Sequence, residues 1–227
     1  MLIGNGLLAG RFASYANDDQ FLIFASGVSN SKIKDPIAYQ REANLLKTTI
    51  AANPGKTLVY FSTCSIYDPD QENSVYVRHK LWMEEIIQQT TKQHIILRVA
   101  NVAGRTSNPN TILNYFYYHI KHRINFDLWI NACRNIIDID DVFFIVNELL
   151  SQKEPNNRLV NIATPVVYPA KDIVAAIESH LEIKSNYTEV KKGSCFEIDL
   201  SAIQPLLGKS ETIFDNKYLA RLLVKYF

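Results

Sequence analysis

The sequence predicts an α/β fold, a mostly parallel sheet with helices on both faces. Two features carry that expectation. Mostly apolar stretches of strand length at 2–3, 21–25, 58–61, 95–99 and 159–162 alternate with stretches whose apolar residues recur at helical spacing. The first run leads straight into Gly4-Asn5-Gly6, a tight turn that opens into a helical stretch. At 227 residues, 47% of them hydrophobic, the chain can bury a substantial core.

The elements follow in order. After the strand at 2–3 and the turn, residues 7–15 read as a helix and 21–25 as a short buried strand. Residues 36–53 repeat apolar positions at Ile37, Leu45, Leu46 and Ile50 with Gln40 in the same series, and Pro54-Gly55 stops that helix. A strand at 58–61, a helix at 75–88 and a strand at 95–99 continue the alternation. Beyond it, 101–110 is rich in turn residues, 111–122 is helical and aromatic, and strands are expected at 125–129 and 135–137. A helix at 140–150, a strand at 159–162 and a helix at 169–181 complete the series. The division expected is a first domain over 1–165 and a smaller, discontinuous C-terminal region over 166–227.

Composition removes several functions. The 24 Lys plus Arg nearly cancel the 23 Asp plus Glu, so no global field draws the chain to nucleic acid or to an anionic membrane. The longest apolar runs fall far short of the roughly 20 residues that cross a bilayer. The start has neither a basic leader nor a cleavage site, and a cytoplasmic protein is expected. Cys64, Cys133 and Cys195 are isolated in sequence, which suggests reduced thiols and neither a zinc site nor a disulfide framework.

Two motifs carry chemistry. Gly4-Asn5-Gly6-Leu7-Leu8-Ala9 has the Gly-x-Gly-x-x-Ala spacing of a dinucleotide loop: Gly4 allows the tight turn, Gly6 lets backbone approach a pyrophosphate, and Ala9 lets the helix pack closely. Tyr76 and Lys80 stand four apart on one helical face, where an ammonium can make a phenol more acidic and fit it to exchange a proton. Either motif alone also suits an ordinary glycine turn or a solvated helix pair. Together, and in this order, they suggest a Rossmann-like domain.

With those residues in place the chain resembles the extended short-chain dehydrogenase/reductases of the NAD-dependent epimerase/dehydratase family, which act on nucleoside-diphosphate sugars. The resemblance runs from Gly4 to about Ala163. Thr63 holds the Ser/Thr position four residues before Tyr67. Tyr76 and Lys80 match the catalytic pair, and Arg98-Val99-Ala100-Asn101-Val102-Ala103-Gly104 resembles the Arg-x-x-Asn-x-x-Gly segment. The stretch from Arg134 to Val142 resembles Arg-Asp-Phe-x-x-Val-x-Asp-Val.

That resemblance implies NAD or NADP as cofactor, held by Gly4, Asn5, Gly6, Leu7, Leu8, Ala25, Ser26, Gly27, Tyr76 and Lys80. It implies Thr63, Tyr76 and Lys80 as catalytic residues, with Thr63, Asn101 and Arg134 toward a nucleoside-diphosphate sugar and no metal. Asp138 is expected to orient Arg134 or to cap the helix beginning near Asp140. Tyr115, Phe116, Tyr117 and Tyr118 read as helix packing more than as a base-stacking surface. Cys64 and Ser65 stand where dehydratases of the family carry Asp and Glu, so reduction or epimerisation is favoured over dehydration, in the setting of surface polysaccharide precursor synthesis. A homodimer is an open alternative.

One departure is large. Only residues 11–20 separate the glycine-loop region from the run at 21–27 that resembles the family's later strand and its Ala-rich loop, so a second and third strand are missing from the first mononucleotide half. The residue that selects between NAD and NADP belongs to that missing part. A catalytically inactive nucleotide or sugar-nucleotide binding protein is therefore the alternative.

Overall fold

In the computed structural model, which describes residues 1–28, 35–152, 157–210 and 212–227, five parallel strands form the main sheet. The elements are β1 (Leu2–Ile3), α1 (Leu7–Arg11), β2 (Phe21–Phe24), α2 (Pro36–Ala52), β3 (Thr57–Thr63), α3 (Val75–Thr90), β4 (His94–Val99), β5 (Asn101–Ala103), α4 (Ile112–Lys121), β6 (Phe126–Trp129), β7 (Cys133–Asp138), α5 (Ile139–Ser151), β8 (Arg158–Ile162), β9 (Val167–Pro169), α6 (Ala170–Leu181), β10 (Tyr187–Val190), α7 (Gln204–Leu207) and α8 (Tyr218–Tyr226). The helix expected at 7–15 is broken: α1 ends at Arg11 and a 3-10 turn, Ala13–Tyr15, completes it. The short strand β5 falls within the turn-rich stretch after β4.

The main sheet runs β1-β2-β3-β4-β8. All seven residues of β3 are buried, as befits the middle strand of a sheet covered on both faces. One face packs α1, α5 and α7 through Phe12, Val142, Ile145, Val146 and Leu206, and the other packs α2 and α3 through Ala43, Leu46, Met83 and Ile87. The local chemistry of the helix starts is plain. Asp35 caps α2 by accepting from the Ile37 amide at 2.9 Å ahead of Pro36, whose missing N–H costs nothing there.

Strand order exposes what the shortening did. The steps β1 to β2 and β2 to β3 go the same way across a parallel sheet, yet α1 and α2 lie on opposite faces, so the two connections have opposite hand. The near-universal right-handed rule for such crossovers cannot hold for both. In an uninterrupted doubly wound sheet, the helix after β1 leads to a strand on the far side of β1. Here it returns directly to β2, and β1 is the edge.

A second apolar cluster draws on residues 103–136 and 168–223, around Phe116, Ile120, Leu128, Ile173 and Leu222. It is supported by β5-β7-β9 and by the parallel pair β6-β10. This pairing corrects the expectation of isolated thiols: Cys133 and Cys195, 62 residues apart, form a disulfide. The sequence hides it because the two cysteines meet only through the β6-β10 register, which continues until the Cys133 amide donates to the Ser194 carbonyl at 3.2 Å. Among the described residues no helix is long and apolar enough to cross a membrane.

Candidate active site

The carboxyl ends of β1, β2 and β3 hold most of the residues singled out from sequence. Gly4, at φ +130°, sits so close to the loop after β2 that a Cβ would lie 2.4 Å from the Ala25 carbonyl oxygen. Only glycine tolerates both the dihedral and the contact. Gly6 precedes α1, and a Cβ on it would meet nothing within 4 Å, which leaves open space beside the turn. Ala9 is buried at the helix–sheet contact, Leu8 packs on the core, and Leu7 rests against Gly104.

Thr63 ends β3 with its hydroxyl turned onto the next turn: it accepts from the Ser65 amide at 3.1 Å and donates to Ser65 Oγ at 3.0 Å. Tyr76 lies half-buried in the first turn of α3, one turn before Lys80. The lysine itself is enclosed. Its side chain is only 4% exposed, and Nζ donates to Glu42 Oε1 at 3.1 Å and to the Tyr60 hydroxyl at 2.9 Å. The Glu42 carboxylate also accepts from the Tyr60 hydroxyl at 3.0 Å and from the Val28 amide at 2.8 Å, and pairs with His79 Nε2 at 3.0 Å. Four partners saturate its lone pairs. Above the group lies Gly27, where a Cβ would fall 2.8 Å from Lys80 Nζ.

The electrostatics follow from this enclosure. Burial alone would raise the Glu42 carboxyl, but the His79 hydrogen bond, the Lys80 charge and the Val28 amide together hold it down at about 2. Burial alone would lower the Lys80 ammonium. The nearby Tyr60, Glu42 and Tyr76 oxygens outweigh that and push it above its ordinary range.

Glu42, Tyr60 and His79 were not anticipated. The signal was present in the phase of α2: its buried stripe is Tyr39, Glu42, Ala43, Leu46 and Thr49, whereas Ile37, placed on the apolar stripe by its spacing, is 77% exposed. On the correct stripe Glu42 is a charge among core residues, and such a charge requires a partner.

Other expected residues lie apart. Asn101, exposed on β5, donates to the Asn135 carbonyl at 2.9 Å. Arg134 on β7 donates to the Cys133 carbonyl at 2.7 Å and stands 3.7 Å from the Asp68 carboxylate. Asp138 does not orient it. That carboxylate caps α5 through the Asp140 amide at 2.9 Å and binds Lys225 Nζ at 2.7 Å and the Tyr226 hydroxyl at 2.5 Å, so it ties α8 to the start of α5. Arg98 forms a two-pronged ion pair with Glu84, at 3.1 and 2.7 Å, and bonds the Tyr67 hydroxyl at 2.9 Å. Cys64 is buried, its thiol pushed up to about 12 by that burial, which disfavours the nucleophilic thiolate. The α4 aromatics pack mainly on their neighbours: Tyr115 on His119, Phe116 in the core, Tyr117 on Phe227, and the more exposed Tyr118 against His122.

A glycine turn ending the first strand, helices on both faces of a parallel sheet and a Tyr/Lys pair beside the carboxyl ends of the strands define a Rossmann-like α/β protein of the dinucleotide-binding class. Residues 22–163 match the NAD dependent epimerase/dehydratase family, more than half of the chain, and the protein belongs to that family. Its fold is shared with the Thermus thermophilus UDP-glucose 4-epimerase solved with NAD (TM-score 0.68, 13% identity, 96% of this chain and 81% of that one). It is shared too with the Bacillus cereus UDP-glucuronic acid 4-epimerase solved with UDP-glucuronic acid and NAD (0.70, 17%, 93% and 78%). RMD from Pseudomonas aeruginosa, complexed with NADPH, superposes at 0.74 with 13% identity over 98% of this chain and 96% of that one. No curated protein matches the sequence.

The residues present fit a nicotinamide dinucleotide at one place. The open space at Gly6 suits a pyrophosphate, whereas the Ala25–Gly27 loop packs against Gly4 on one side and Lys80 and Glu42 on the other. On the adenosine side the sheet stops at β1, and no strand among the described residues continues it.

Proposed function

We propose that the protein is an NAD(P)-dependent reductase or epimerase acting on a nucleoside-diphosphate sugar, with surface polysaccharide precursor synthesis as its setting. The observation that carries this reading is the convergence, at one end of β2 and β3, of the Gly4 turn, the Ala25–Gly27 loop, Thr63 and the α3 face bearing Tyr76 and Lys80. A bound nicotinamide would supply the hydride chemistry. Tyr76 would hold and move the proton at the sugar oxygen, Thr63 would orient that oxygen, and Lys80, as one half of its ion pair with Glu42, would set the charge around the phenol. Asn101 and Arg134, on neighbouring strands of the small sheet, would face the diphosphate, for which a guanidinium fork is well shaped. The region after 166 would complete the sugar site. The Tyr76→Phe variant should lose turnover by roughly 100-fold or more while keeping nucleotide-sugar affinity, measured by calorimetry and by assay with NAD, NADP and uridine- or thymidine-diphosphate sugars. Turnover at the wild-type rate in that variant would sink the assignment.

A second reading has its own support. The enclosure of Lys80 by Glu42 and Tyr60, with the loss of the adenosine-side strands, favours a protein that binds a nucleotide or sugar nucleotide without transferring hydride. Binding in the same calorimetric series with no turnover across the screen would decide for it.

A further inference from the structure

We propose that Glu42 is a positioning residue of the Tyr76–Lys80 pair: its carboxylate takes up the Lys80 ammonium in a buried ion pair and so withholds most of that positive charge from the Tyr76 phenol. This rests on the proton-transfer role given to Tyr76 above.

The geometry supports it from every element around the ammonium. From α2 comes Glu42 at 3.1 Å, its side chain only 3% exposed, with Tyr39 on the same buried stripe. From β3 comes the Tyr60 hydroxyl at 2.9 Å, which bonds Lys80 and Glu42 together. On α3 itself His79 meets the second Glu42 oxygen and packs against Tyr39 at 4.4 Å between ring centres, the rings tilted by 42°. The loop after β2 closes the group with the Val28 amide and the bare α-carbon of Gly27. A cation and an anion about 3 Å apart act on a more distant group as a dipole, and their fields largely cancel where either charge alone would be felt. An unpaired lysine one helical turn from a tyrosine would instead act on it as a full charge.

The test is the titration of Tyr76 in protein labelled at the tyrosine Cζ carbon, followed by NMR, with the Tyr76 resonance assigned by its loss in Tyr76→Phe. Glu42→Gln keeps the shape of the side chain and frees the ammonium charge, so the Tyr76 midpoint should fall by about one unit or more relative to wild type. Removing the pair as a unit, in Glu42→Gln/Lys80→Met, should leave the midpoint within a few tenths of a unit of wild type. That double variant carries no unpaired buried charge, so it decides the question even where the single variant does not fold. A midpoint unmoved in Glu42→Gln while the Lys80 Nζ resonance shows the ammonium still protonated, or raised by a unit or more in the double variant, overturns the proposal. The readout needs neither cofactor nor substrate. If Tyr76 shifts as expected but no nucleotide sugar is turned over, the charge arrangement stands and the enzymatic reading fails.

Discussion

Two lysine–carboxylate groups in this molecule look alike by distance and differ in what surrounds them. Lys80 meets Glu42 at 3.1 Å with both side chains under 5% exposed, and Lys225 meets Asp138 at 2.7 Å while 43% of the lysine side chain remains in solvent. The shorter pair is expected to cost less to break. Water screens Lys225 and offers it a substitute partner, whereas Lys80 and Glu42 have given up nearly all of their water and depend on each other, on Tyr60, on His79 and on the Val28 amide. Length therefore says little about what an ion pair contributes. Accessibility of the partners to water says more.

Cutting each pair is the direct way to break the comparison. Glu42→Ala strands a buried ammonium and should cost about 3–5 kcal/mol in urea unfolding; a loss below about 1 kcal/mol would place the Lys80 group with the surface pairs. Acid sharpens the same point with a sign. The folded Glu42 carboxyl titrates near 2 against an ordinary 4.5, so its stabilisation is complete above about pH 4.5 and fades as pH falls toward 2. The difference in stability between wild type and Glu42→Gln should accordingly shrink by about 3 kcal/mol across that window. A difference that stays constant with pH would contradict the depressed carboxyl. The smallest effect belongs to Lys225→Ala, expected at about 1 kcal/mol or less and weakened further in roughly 1 M salt; salt should leave the cost of Glu42→Ala nearly unchanged.

The contrast also marks what a sequence makes legible. The main sheet could be read because each of its strands is built around a short, mostly apolar stretch, and the α3 motif because i, i+4 spacing alone puts Tyr76 and Lys80 on one face. The partner of Lys80 could not be read so easily. Glu42 is 38 residues away on another helix, and it comes to the lysine only because α2 and α3 pack side by side on one face of the sheet. Choosing the α2 stripe by Ile37 and Leu45 turns Glu42 outward. The Asp138–Lys225 and Cys133–Cys195 links were illegible for a similar reason, since each joins segments that tertiary packing alone brings together.

The neighbouring strands β4 and β8 have a consequence for how the chain can assemble. They pair residue for residue from Ile95 and Arg158 onward, yet residues 100–157 lie between them. The entropy of closing so long a segment grows only slowly with its length, but it must still be met before the fifth strand gains a single hydrogen bond. Much of that segment is not slack. It is folded into β5, β6, β7, α4 and α5, whose apolar side chains pack in the two clusters beside the sheet. The first four strands join through the shorter segments 4–20, 25–56 and 64–93, while the last follows the longest one. The sheet's far edge is thus the one joined through the longest connection.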